Sequence, residues 1–123
     1  MSLKVWVLLV SSVALSSLAQ LLLKLGLKGA GPLDLSWRGL TALALRVLTN
    51  GYLFAGLAGF VGSAVLWLIV LSQVELSLAY PLVSLGYVFV LCLAHFVLGE
   101  SISTWRLGGV AAIIAGVILI GRS

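Results

Sequence analysis

Apolar residues run almost unbroken through four stretches of the chain, from about Leu3 to Leu25, Gly51 to Leu71, Leu76 to Leu98 and Thr104 to Gly121. Each is close to the roughly 20 residues an α-helix needs to cross the hydrocarbon core of a bilayer. Polar or turn-forming residues bound every stretch, and charged side chains stay out of their middles. The pattern predicts an all-α membrane protein, with residues 1–123 forming a single four-helix transmembrane domain.

The long first connection breaks at Gly29, Gly31 and Pro32 and restarts after Leu33-Asp34-Leu35, where Ser36 suits an N-cap. Leu40, Leu43, Val47 and Leu48 then share a helical stripe that Arg38, Thr41 and Arg46 interrupt. Trp37–Thr49 reads as an interfacial amphipathic helix between the first and second spans with Trp37 at headgroup level, the alternative being a long N-terminal extension of the second span. The connections Ser72–Glu75 and Gly99–Ser103 are short enough to force antiparallel neighbours. Gly99 suits a helix C-terminal cap and Ser103 an N-cap. Lys4 followed by apolar residues up to Ala19 resembles a signal peptide, but the apolar run continues through Leu25 and the later segments are equally hydrophobic.

Composition sharpens the picture. The chain is 63% hydrophobic and 8% charged, against about 45–50% and about 25% in soluble domains. Its net charge of +4 does not point to nucleic acid, because the basic residues form no block and have no interleaved aromatics. They sit at span ends and in the first connection, where membrane lipids and their phosphates are the expected partners. Lys24, Lys28, Arg38, Arg46 and Arg106 fall on one side of the membrane, Lys4 and Arg122 on the other. The positive-inside rule then makes the first loop cytoplasmic and both termini external, with dual insertion as the alternative. Cys92 lies in an apolar run, without a disulfide partner or metal-ligand spacing, and reads as a small buried hydrophobe.

Polar side chains inside a span are costly and turn toward a bundle interior or cavity. Ser12, Ser16, Gln20 and Lys24 recur every four residues and form one drifting stripe that ends in a cation at the membrane boundary. Two readings fit: a polar groove leading to a phosphate-binding lysine, or helix–helix hydrogen bonds plus a lysine that snorkels to the interface. In the third span Tyr80, Ser84, Tyr87 and His95 share a face. Pro81 there is either a hinge beside a substrate groove or a proline in the first helical turn. His95 has no second histidine to build a metal site. In the second span the small row Gly51, Ala55, Gly59 and Ser63 leads to Trp67, which either lines a groove or fills space. In the fourth span Gly108, Ala112 and Gly116 form a helix-association row. Four short helices enclose little volume, so a dimer is expected. All three acids, Asp34, Glu75 and Glu100, lie in connections, and no nucleophile–base–acid set, phosphate loop or metal cluster assembles. Neither enzymatic activity nor a cofactor is expected.

The stretch WLIVLSQVELSLAYPLVSLGY from Trp67 to Tyr87, followed by Leu98-Gly99-Glu100 and a glycine-rich final span, resembles the drug/metabolite transporter superfamily in its four-helix form. Ala19 and Gln20 leading to Lys24 are similar too, and the resemblance covers nearly the whole chain. Two branches are candidates. Small multidrug resistance proteins carry a first-helix glutamate that binds protons and cationic drug in turn; alignment on Lys24 puts Ser16 in its place, and serine does not titrate. The chain looks closer to the small flippase subunits that move undecaprenyl-phosphate-linked aminoarabinose across the bacterial inner membrane during lipopolysaccharide modification. They share the first-helix glutamine without the acid, and the Ala-Tyr-Pro stretch. That resemblance implies a lipid-linked sugar as substrate and a homodimer or a heterodimer with a paralogous subunit. On this reading Lys24, helped by Arg38 or Arg46, attracts the phosphate. Ser16, Gln20, Trp67, Tyr80, Ser84 and Tyr87 line the path, and Pro81 supplies the bend. The alternatives are an exporter of small cationic or polar molecules coupled through another group such as His95, and a non-transporting helix bundle that stabilises a larger complex.

Overall fold

The computed structural model describes residues 2–29 and 31–122. Six helices follow in order: α1 (Leu3–Gly26), α2 (Trp37–Thr49), α3 (Gly51–Leu71), α4 (Leu76–Leu82), α5 (Leu85–Phe96) and α6 (Thr104–Gly121). Four segments are long and apolar enough to span a membrane: α1, α3, the continuous stretch Leu76–Phe96 holding α4 and α5, and α6. Many large apolar side chains point outward, among them Leu3, Phe54, Phe96, Trp105 and Leu119. Water would not tolerate that surface, whereas acyl chains match it. The protein is a multi-pass membrane protein.

The tightest packing joins α1 to α3, and its sequence basis is a repeat of seven rather than four. Val5, Ser12, Ala19 and Gly26 are buried on α1, and Gly56, Ser63 and Val70 on α3. A seven-residue repeat keeps one seam facing its partner when antiparallel helices cross at a shallow left-handed angle. The pairings run in opposite directions along the two helices. Gly26 lies against Leu53, Ala19 and Leu23 against Gly56, and Ser12 Oγ donates to Ser63 O at 3.0 Å. Glycine is needed where the backbones approach: a Cβ at Gly26 would sit 2.5 Å from Leu53 Cγ, and one at Gly56 would sit 3.1 Å from Ala19 O. At the far end Leu9, Val13, Val70, Ala79 and Leu82 form the apolar core, with Trp6 and Trp67 packed on it.

α2 is a separate helix, not an extension of the second span. Asn50 adopts ψ 116°, which interrupts the helical backbone. Its N–H donates to Arg46 O at 2.8 Å, closing α2, while its Oδ1 accepts from Tyr52 N at 2.9 Å and Leu53 N at 3.3 Å, opening α3. At the start of α2, Ser36 Oγ accepts from Gly39 N at 3.1 Å, the expected N-cap. Trp37, Leu40, Leu45 and Leu48 are exposed, and no α2 residue is buried.

Pro81 is the sixth residue of α4, past the first turn. Having no N–H, it leaves the Ser77 carbonyl without its usual i+4 donor. The helix stops at Leu82, and Val83, Ser84, Gly86 and Tyr87 instead donate three residues back, at 2.8–3.1 Å. The third span is thus two helices joined by a tightened turn, which ends the reading of Pro81 as a first-turn proline. Beyond the break, Gly86 lets α5 lean on α1, where a Cβ would stand 3.4 Å from Val13 Cγ1. The third span ends at Phe96, and Gly99 turns the chain at φ +71°. Ser103 then caps α6, its Oγ accepting from Arg106 N at 3.2 Å. α6 rests on α4 and α5 without burying any residue. Cys92 is exposed, not buried as its apolar run suggested, because its side of α5 faces away from the bundle.

Candidate functional site

The first-span stripe divides on folding. Residues four apart on an α-helix drift by about 40° per step, so Ser12 and Lys24 point about 120° apart. Ser12 is accordingly sealed into the α1–α3 seam, and Ser16 is half-buried. Gln20 and Lys24 have rotated past that seam to the side facing α5. There they line a groove of ≈ 270 Å³ with Ser17 of α1, Val90, Leu93 and Ala94 of α5, and Leu98 and Glu100 beyond it. The stripe thus divides between a helix–helix hydrogen bond at Ser12 and a groove lined by Gln20 and Lys24.

The groove's polar wall belongs to α1. Ser17 Oγ donates to Val13 O at 2.8 Å, which leaves its oxygen free to accept. The Gln20 amide and the Lys24 ammonium have no partner among the described residues. α5 supplies the apolar wall. α1 and α5 run in the same direction, so Lys24, near the end of α1, and Glu100, just past α5, reach the same end of the groove. A second groove of ≈ 310 Å³ opens on the other side of α5, between Tyr87, Arg106 and Gly109, and Val90, Ala94 and Glu100 line both.

The other residues singled out from the sequence disperse. Tyr87 lies in the second groove. Tyr80 is 67% exposed on α4, Ser84 is half-buried at the helix break, and Trp67 packs on the core. Arg38 is exposed. Arg46 turns inward: its Nε donates to Gly26 O and its Nη2 to Lys28 O, both at 3.1 Å. Its planar fork thus satisfies carbonyls that the end of α1 leaves open. Asn50 Nδ2 adds a bond to Gly26 O at 3.4 Å. A Cβ at Gly108 or Gly116 would meet nothing within 4 Å, so this row of α6 faces outward. His95 is exposed, with Nδ1 3.0 Å from Glu100 O. No group of three potential ligands that could hold a metal occurs among the described residues.

Glu100 is the groove residue that sequence reasoning passed over, because it lies in a connection. Its signal was available in topology: the first and third spans run the same way, so Lys24 and Glu100 must emerge on one side of the membrane.

The chain is similar in sequence to known proteins. The model of a family described as the EamA-like transporter family matches residues 2–122. A relative from Pseudomonas fluorescens (strain Pf-5), named "Probable 4-amino-4-deoxy-L-arabinose-phosphoundecaprenol flippase subunit ArnE", is 41% identical over 87 residues, 71% of this chain and 76% of its own. A relative from Proteus mirabilis carries the same name as subunit ArnF and is 38% identical over 117 residues, 92% of this chain and 88% of its own. An ArnF subunit from Photorhabdus laumondii, also 38% identical, matches over 115 residues, 90% of this chain and 91% of its own. No solved structure matches the chain at a significant level.

Proposed function

The chain belongs to the EamA-like transporter family, and from that premise we propose that it is a subunit of a flippase that carries a polyprenyl-phosphate-linked amino sugar across the bacterial inner membrane, with the α1–α5 groove as the headgroup's path. The observation that carries this reading is the position of Gln20 and Lys24, both without a partner among the described residues, on one wall of a groove that faces the apolar Val90, Leu93 and Ala94 of α5. Three relatives named as flippase subunits for such a lipid support the substrate class.

The chemistry follows from what crossing a bilayer costs. The polyprenyl tail is soluble in the hydrocarbon and needs no protein. The phosphate and sugar do, because a bare charge in hydrocarbon is prohibitive. A groove of ≈ 270 Å³ lies just below the range of about 300–1,000 Å³ usual for ligand pockets, a fit for a headgroup whose tail stays in the lipid. Lys24 neutralises the phosphate at the mouth. The amide of Gln20 and the oxygen of Ser17 replace water on the sugar hydroxyls one and two turns further in. The break at Pro81 lets α4 and α5 tilt independently, which opens and closes the groove's α5 wall. Tyr80, Ser84 and Trp67 act through that hinge and its core rather than by lining this groove, and Tyr87 serves the groove on the other side of α5. Arg46 holds the end of α1 that carries Lys24, and Arg38 draws anionic headgroups to the first connection.

The first loop is cytoplasmic on this reading, so the mouth at Lys24 loads from the inner leaflet, where α2 rests. The open row Gly108, Ala112 and Gly116 takes a second helix bundle, whether a second copy or a paralogue. The test is reconstitution of the full chain in vesicles, alone and with a paralogous subunit, following transfer of a polyprenyl-phosphate-linked amino sugar between leaflets. Transfer that falls about tenfold or more in Lys24→Ala and Gln20→Ala, as expected for a lost charge-assisted or buried contact, supports the reading. Unchanged transfer in both variants overturns the site.

A further inference from the structure

Two residues of opposite charge, Lys24 and Glu100, line the groove mouth. The chain holds three acids, and two are accounted for elsewhere. Asp34 Oδ1 accepts from Ser36 N at 3.2 Å and Ser36 Oγ at 2.6 Å, and Glu75 precedes α4 at the opposite end of the bundle. Glu100 lines the groove with Lys24. Its backbone makes the turn after α5: the N–H donates to Ala94 O at 3.0 Å, and the carbonyl oxygen meets His95 Nδ1 at 3.0 Å. The Glu100 carboxylate and the Lys24 ammonium have no partner among the described residues, each other included. Arg106, the other cation beside Glu100, lines the second groove and donates through Nη1 to Ser101 O at 3.4 Å.

Opposite charges that share a groove near low-dielectric surroundings attract each other strongly. Here they line one cavity without closing it. A ligand with one charge would neutralise one of them and strand the other. A ligand with a negative and a positive group on either side of a polar spacer satisfies both. We propose that Lys24 and Glu100 form a two-charge site that selects a zwitterionic lipid headgroup, with the phosphate at Lys24, a protonated amine at Glu100 and the sugar ring across Gln20. This rests on the flippase reading of the same groove and adds the residue that recognises the headgroup's amine. Discrimination comes from the acid: a headgroup with a hydroxyl in place of the amine forgoes the charge-assisted hydrogen bond to the carboxylate and binds more weakly.

Binding to the full chain in lipid nanodiscs tests the proposal. The probes are two polyprenyl-phosphate-linked sugars, one with an amine and one with a hydroxyl at the same position, read by native mass spectrometry. The wild type is expected to favour the amine lipid by about tenfold or more, the scale of one charge-assisted hydrogen bond. Glu100→Gln keeps the side-chain shape and both backbone bonds of the turn. It is expected to lower amine-lipid binding to the hydroxyl-lipid level while leaving hydroxyl-lipid binding unchanged. Equal binding of the two lipids by the wild type, an undiminished preference in Glu100→Gln, or an equal loss for both lipids overturns the proposal and leaves the flippase reading standing. Binding of neither lipid by the wild type overturns the flippase reading and this proposal with it.

Discussion

Replacing Gly26 by alanine adds one methyl group at the point where three helices meet. That methyl would lie 2.5 Å from Leu53 Cγ and 2.9 Å from both Leu53 Cδ2 and Leu53 N. Favourable contacts between heavy atoms need about 3.5–4.0 Å. A new Leu53 rotamer could relieve the side-chain clashes but not the one with the backbone nitrogen, so α1 and α3 must separate there by about half an ångström or more. Overpacking of this kind costs about 1–3 kcal/mol, and the better helix propensity of alanine returns at most about 1 kcal/mol. The separation also strains the bonds that Gly26 O accepts from Arg46 Nε at 3.1 Å and Asn50 Nδ2 at 3.4 Å. A net loss of about 1–2 kcal/mol is therefore expected, about 5- to 30-fold in the unfolding equilibrium. Gly51→Ala is the control, since it lies near the same end of the bundle and its Cβ would meet nothing within 4 Å. Equilibrium unfolding of the full chain in mixed micelles, followed by circular dichroism, reads both variants. Equal stability of Gly26→Ala and Gly51→Ala would refute the close approach of α1 and α3.

Three further expectations come from the same contacts. Arg46→Ala removes two hydrogen bonds at 3.1 Å from a charged donor to the end of α1 and should destabilise by about 1.5–3 kcal/mol; Arg46→Lys should recover only part of this, because a point charge cannot serve both carbonyls, and full recovery would contradict the fork geometry. Pro81→Ala restores a donor to the Ser77 carbonyl, so thermal stability should rise while lipid transfer slows; unchanged transfer would remove the hinge from the mechanism. Ser12→Ala breaks the 3.0 Å bond to Ser63 O and should cost about 0.6 kcal/mol, the typical value between membrane helices, without affecting lipid transfer, since Ser12 lies in the seam rather than the groove.

The four spans, the separate helix at Trp37–Thr49 and its Ser36 cap were legible in the chain because hydropathy runs and capping residues are local signals. Helix packing was legible only in part. Spacing by four drew attention to Ser12, Ser16, Gln20 and Lys24, yet helices that cross at a shallow angle mesh by sevens. Gly26 and Gly56, the two closest approaches, therefore lie off the rows that spacing by four picks out. The same drift assigns Ser12 to the seam and Gln20 to the groove, a division no one-dimensional pattern displays. Arg46 illustrates a different gap. Sequence marks it as a free cation near headgroups, and only the path of the chain after Gly26 shows which carbonyls lie within its reach. Glu100 was hidden for the opposite reason: its connection looked like a mere link until the direction of α5 placed it opposite Lys24.

The route proposed for the lipid headgroup lies between α1 and α5. Photocrosslinking with a polyprenyl-phosphate-linked amino sugar tests it most directly, using a photoreactive residue at position 20 in the groove and, separately, at position 119 on the outward face of α6. Strong labelling from position 20 that excess unlabelled lipid competes away, with weak and uncompeted labelling from position 119, is the expected result. Equal labelling from both positions, or labelling from position 20 that competitor leaves untouched, would rule out that route.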